Sequence, residues 1–204
     1  MKYYAIAFIL ALLLLPSVCL ANKSHAKQLT IGLELSAFSY GQIADEGDFS
    51  GGTINETNFK LGNLSGGFTL GYTLNDLIEI GGRIGVAHNK VTRSDGSYDY
   101  SYTVKSFNLA PYLQFNFWLS EKIVLPLGLY IGYEGEYYSE GSIHYGIFAV
   151  KPAIEFFIGD RFSIGPSCTL SYTVGGVHYD DSSYDTQSIY KWKFAVAVDM
   201  TIWI

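Results

Sequence analysis

The chain has 204 residues, enough for one domain, and only 16% of them are charged, against roughly 25% in soluble domains, while Gly (22) and Tyr (17) are abundant. A formal net charge of −6 argues against nucleic acid as a partner. Beyond the N-terminal stretch no run approaches the roughly 18 apolar residues of a transmembrane helix, so helical spans are excluded.

Residues 1–21 have the pattern of a secretory signal peptide, leaving 22–204 as the mature domain. Lys2 supplies the positive end, residues 5–15 the apolar core, and Pro16 breaks it before Cys19-Leu20-Ala21, so cleavage is expected after Ala21. Ser24-His25-Ala26 offers a second site. Cys19 lies in a poor lipoprotein context, because Val18 precedes it and Pro16 stands where a Leu would be expected. Cleavage leaves Cys168 as the single cysteine, which excludes an intrachain disulfide.

From about residue 28 the pattern repeats every second position, the period of a strand with two unlike faces. In the first strand, about 29–40, Leu29, Ile31, Leu33, Leu35 and Ala37 oppose Thr30, Gly32, Glu34 and Ser36, and a polar loop of 41–58 follows. The second strand, about 59–74, sets Phe68, Leu70, Tyr72 and Leu74 against glycines and threonines before a tight Asn75-Asp76 turn. The third alternates Ile78, Ile80, Ile84 and Val86 with Glu79, Gly81, Arg83 and Gly85, and a polar loop covers about 92–101. The fourth places Phe107, Leu109, Leu113, Phe115 and Phe117 on one face, with a parity shift, read as a bulge, between Tyr102 and Ser106.

After the short 120–122 turn, the fifth strand (123–137) opposes Leu125, Leu127, Leu129, Ile131 and Tyr133 to Gly128, Tyr130, Gly132 and Glu134. The sixth carries Phe148, Val150, Ile154, Phe156 and Ile158 against Ala149, Lys151, Ala153 and Glu155, and Gly159-Asp160-Arg161 turns the chain. The seventh opposes Phe162, Ile164, Cys168, Leu170 and Tyr172 to small polar residues, and a polar loop spans 175–188. In the last strand Tyr190, Trp192, Phe194, Val196, Val198, Met200, Ile202 and Ile204 form a face without charge. Long and short connections alternate, as in hairpins that cross a membrane with short turns on one side. The expected fold is therefore all-β: an eight-stranded antiparallel up-and-down transmembrane β-barrel.

A soluble barrel with an inward apolar face is the alternative. Its outside would be studded with Lys and Glu, whereas the polar face here is mostly Gly, Ser, Thr, Ala and Asn, suited to a narrow lumen. Aromatics near strand ends complete the membrane reading as interfacial girdles: Phe117, Trp118, Phe157, Phe162 and Trp203 at the turn side, Tyr40, Tyr102, Tyr137, Tyr138, Tyr145 and Trp192 at the loop side.

With these features the chain resembles the bacterial outer-membrane β-barrel superfamily, in particular its small eight-stranded, OmpA/OmpX-like barrels. Its last eleven residues, with Phe194, Met200, Ile202, Trp203 and Ile204, resemble that family's C-terminal assembly signal, although an Ile stands where Phe or Trp is usual. The resemblance implies a Gram-negative outer membrane, insertion by the barrel-assembly machinery, and contact with membrane lipid and lipopolysaccharide. A monomer without cofactor is expected.

Charges on the luminal face are Glu34, Glu79, Arg83, Glu134, Lys151, Glu155, Lys191, Lys193 and Asp199, with Glu136 near the loops. Unpaired charges would be costly there, so Arg83 and Lys151 are expected to bridge Glu34, Glu155 and Asp199. The expected role is structural or surface-interacting, with the lumen filled by side chains; the alternative is a narrow porin-like conduit for ions or a small solute. No catalysis is expected. His25, His88, His144 and His178 form no His-x-Ser pair of the kind that would resemble lipid A deacylases.

Acidic loop residues Asp45, Glu46, Asp48, Glu56, Asp180, Asp181 and Asp185 match no Ca²⁺ loop, and no metal is expected. Tyr98, Tyr100, Tyr102, Tyr179 and Tyr184 offer an adhesive rim. Cys168 falls on the lipid-facing parity as a buried, inert thiol, and Pro111, Pro126, Pro152 and Pro166 predict a bulge at each.

Overall fold

The computed structural model describes residues 25–45, 53–57, 65–94, 99–138, 141–179 and 188–204. Ten strand segments follow in chain order: β1 (Leu29–Asp45), β2 (Thr53–Thr57), β3 (Ser65–Thr73), β4 (Ile78–Ser94) and β5 (Asp99–Ser120), then β6 (Ile123–Tyr138), β7 (Gly141–Pro152), β8 (Glu155–Phe157), β9 (Phe162–Tyr179) and β10 (Ser188–Trp203). β2 and β3 both pair with β1, the former at residues 38–42 and the latter at 29–35, so they form one stave. β7 and β8 share one register along β9 and form another. Eight staves result, each antiparallel to its neighbours, and β10 closes the ring by pairing with both β9 and β1.

The two faces of this sheet settle which way the apolar parity points. Leu33, Leu35, Phe68, Ile84, Leu109, Ile131, Phe148, Leu170 and Ile202 are exposed on the outside. Glu34, Glu79, Lys151, Glu155, Lys191 and Asp199 are buried inside. A soluble barrel would bury the first set and expose the second; this inside-out arrangement is stable against acyl chains. Among the described residues no helix is long and apolar enough to cross a membrane.

Short connections lie at one rim. Asn75 accepts the N–H groups of Leu77 (2.9 Å) and Ile78 (2.8 Å), an Asx turn that reverses the chain between β3 and β4. Between β8 and β9, Gly159 takes φ +77°, open to glycine at no steric cost. At the other rim the strands run further than their composition suggests. β1 continues to Asp45, the expected first loop contains β2, β4 and β5 pair out to Ser94↔Asp99, and β9 reaches Tyr179. β5, with 22 residues, is about twice the length needed to span a bilayer. The excess stands in water, where both faces can be polar; that erases the period of two and makes strand read as loop.

The bulges lie elsewhere than expected. β4 and β5 keep one register throughout, so none occurs between Tyr102 and Ser106. None occurs at the prolines either. At Pro111 the ladder passes from Leu109↔Tyr133 to Tyr112↔Tyr130 without shifting, while Pro126, Pro152 and Pro166 face Asn116, Leu127 and Val198 in register. The missing N–H removes one rung and inserts no residue. Register shifts fall instead between Ser36 and Phe38 and between Trp118 and Ser120. The first reverses the parity of β1, burying Ser39 within the barrel.

Candidate functional site

The lumen is layered. At the turn-side mouth Trp118, Val124, Phe157 and Trp203 pack together, all buried. His25, on the segment that precedes β1, lies among them: its ring stacks on Trp118 (centroids 4.3 Å apart, planes at 10°) and stands 5.1 Å from Phe157 and 5.4 Å from Trp203. Its backbone N–H donates to Asp76 Oδ1 at 2.6 Å, and Thr73 Oγ1 donates to its carbonyl at 2.6 Å. Trp118 Nε1 donates to the Asp76 carbonyl (2.9 Å) and Trp203 Nε1 to Ser163 Oγ (3.0 Å). Burying indoles costs little when each N–H finds an acceptor. Trp118, Phe157 and Trp203 therefore do not belong to an outer girdle. They share parity with luminal Asn116, Glu155 and Thr201.

Above the aromatic layer lie two carboxylates served by neutral donors. Glu79 Oε1 accepts from Thr30 Oγ1 (2.7 Å) and Tyr112 Oη (2.6 Å), and Glu155 accepts from Ser163 and, at 3.4 Å, from Thr201 Oγ1. Gly71 faces them because a Cβ there would collide with Tyr112, Glu79 and Thr30. A cavity of about 30 Å³ opens here, lined by Glu34, Glu79, Tyr112, Tyr130, Lys151 and Glu155 among others.

The middle layer is ionic. Arg83 Nη2 lies 2.9 Å from Glu34 Oε1, and its Nη1 donates to Asn108 Oδ1 at 2.5 Å. Lys151 Nζ sits between Glu34 Oε2 (2.7 Å) and Asp199 Oδ2 (2.8 Å). Two cations thus face two carboxylates, a balanced set with directional hydrogen bonds, which is what burial of charge requires. Glu155 stands outside this set, four residues from Lys151 along the same stave.

A second cavity, about 80 Å³ and so room for a few waters, lies on the loop side and is lined by Arg83, Asn108, Glu134, Lys151 and Lys193. Glu34, Tyr130 and Lys151 border both cavities. Higher still, Lys191 Nζ contacts Glu134 (2.6 Å) and Glu136 (2.5 Å) and lies 4.6 Å over the Tyr145 ring. Tyr145, expected in the loop-side girdle, is buried and donates to Glu136 at 3.2 Å.

On the outer wall Tyr137 is exposed, and Tyr40 and Trp192 meet edge to face at 5.6 Å, as girdle residues can. Cys168 is half-exposed on the lipid-facing side. Of the C-terminal residues, Ile202 and Ile204 are exposed outside, Phe194 and Met200 are half-exposed, and Trp203 is buried within. The side chains of Asp45, Glu56, His88, His178, Tyr100, Tyr102, Tyr138 and Tyr179 lie outside the described residues, as do Glu46, Asp48, Tyr98, Asp180, Asp181, Tyr184 and Asp185 altogether.

A closed ring of eight antiparallel staves, greasy outside and charged within, is the architecture of the small outer-membrane β-barrels. The solved structures it is similar to have that fold. Outer membrane protein OprG from Pseudomonas aeruginosa superposes with a TM-score of 0.53 over 86% of this chain and 96% of its own, at 11% identity. AlkL in lipid bilayers gives 0.52 (86% and 90%, 11% identity), and Neisserial surface protein A gives 0.51 (84% and 95%, 10% identity). No protein-family model and no curated protein matches the chain.

Proposed function

We propose that this chain is an integral outer-membrane barrel whose lumen is a structural element, closed by its own side chains, and that it presents its extended loop-side staves to the cell surface. The observation that carries this reading is the layer of Glu34, Arg83, Lys151 and Asp199, bordered by cavities of only about 80 and 30 Å³. Moving a solute through it means parting buried ion pairs, which costs several kcal/mol. The outward row of Phe194, Met200, Ile202 and Ile204 beside Trp203 would serve recognition by the barrel-assembly machinery. Lipid and lipopolysaccharide would contact the exposed apolar wall.

Planar-bilayer recording tests the closed lumen. The folded protein should give no reproducible single-channel steps, and the double variant Arg83→Ala/Lys151→Ala should produce them. A narrow conduit is the second reading, favoured by the polar lining of both cavities. Steps from the unaltered protein, lost when a bulky group is attached inside the lumen, would establish it.

A further inference from the structure

On the outer wall, near the loop-side rim, three side chains form a hydrogen-bonded chain. Ser142 and His144 lie two apart on β7, hence on one face. Ser142 Oγ is 3.0 Å from His144 Nε2, and His144 Nδ1 is bonded to the Tyr133 hydroxyl on β6. The imidazole stacks on the Tyr133 ring (5.8 Å, 25°) and meets Tyr137 edge-on (6.3 Å, 87°). Directly across the ladder from His144 is Gly135, where an added Cβ would come within 3.1 Å of both tyrosine hydroxyls. The missing side chain keeps that recess open for the ring.

Its height matters. His144 is twelve residues up the same stave from exposed Phe156, in one register along β9. Twelve residues at about 3.3 Å each, tilted near 45°, rise about 28 Å, the depth of the bilayer's hydrocarbon core. Measured from Phe156 as the turn-side edge of the apolar belt, the trio stands where acyl chains join their headgroups. Girdle tyrosines need no partner chain. A hydroxyl held against one imidazole nitrogen while the other is held by a phenol is instead the arrangement of nucleophile, base and orienting group.

We propose that Ser142 and His144 form an ester-hydrolysing centre facing the outer leaflet, taking the acyl esters of membrane lipids, with Tyr133 as a positioning residue. His144 Nε2 takes the Ser142 proton as Oγ bonds to the ester carbonyl carbon. The carbon–oxygen bond to the lipid alcohol breaks, and that oxygen leaves with the proton from His144. Water then adds to the acyl-serine, giving up its proton through His144, and Oγ departs protonated. One water is consumed per fatty acid released. This centre goes beyond the structural role proposed for the lumen and is independent of whether the lumen conducts.

The test is fatty-acid release by the full chain refolded into phosphatidylethanolamine vesicles and, in a second arm, vesicles containing lipopolysaccharide. Release in one arm identifies the source of the ester. Ser142→Ala and His144→Ala should each lower it roughly 100-fold, and a fluorophosphonate probe should label the unaltered protein at Ser142 and not the Ser142→Ala variant. Tyr133→Phe should lower kcat several-fold with KM unchanged. Heat-modifiable gel migration verifies that each variant is folded, since the trio lies outside the barrel's interior. No release in either arm by the folded protein, or release that Ser142→Ala leaves unchanged, overturns the proposal.

Discussion

At the turn-side mouth the lumen is filled by aromatic rings whose indole N–H groups are each bonded to an acceptor, whereas its middle is filled by two cations and two carboxylates. Both regions are buried, yet they tolerate damage differently. An aromatic layer loses stability in proportion to the volume removed. An ion-paired layer behaves as a unit: deleting one charge leaves its partners stranded.

The largest expected effect is therefore at Lys151, the cation shared by Glu34 and Asp199. Lys151→Ala should destabilise the barrel by about 3–5 kcal/mol in urea unfolding from detergent or lipid. Lys151→Met, which keeps most of the volume, should cost nearly as much. Adding Asp199→Asn should recover most of that loss, because Arg83 and Glu34 remain matched. Recovery on volume alone would break the contrast.

Trp203→Ala comes next, at about 3 kcal/mol, with Trp203→Phe losing less than half of that; an equal loss for both would mean that the bond to Ser163, and not packing, holds this layer. The smallest is Tyr112→Phe, about 1–2 kcal/mol from one donor withdrawn from a carboxylate. That variant probes the zone between the two regions, where Glu79 and Glu155 rely on neutral donors.

The barrel was legible because lipid and lumen impose opposite demands on alternate residues, so Leu33, Glu34 and Leu35 announce their directions. That legibility ends at the waterline. Residues 41–58 read as loop because strands there need no apolar face, and β2 lies inside them. Trp118, Phe157 and Trp203 lie inside and not in a girdle because parity, not nearness to a strand end, sets the direction of a side chain. For the charges, parity sets only the face; stagger between staves decides the partners, and this is why Glu155 meets Ser163 and Lys191 meets Glu134 and Glu136. The Ser142–His144 pair was not legible, because Ser142 sits among polar residues that read as a turn before the sixth strand, and Tyr133 joins them only through the pairing of β6 with β7.

If the N-terminal segment is removed as its pattern leads one to expect, the imidazole of His25, seated against Trp118, registers the place of the cut. A peptidase cutting after Ala21 leaves that histidine on the finished protein. One cutting after Ala26 discards it, along with the carbonyl that receives the Thr73 hydroxyl, and bares an indole face to the periplasm. The mass of the mature N-terminus would thus report whether the aromatic layer keeps its histidine cover.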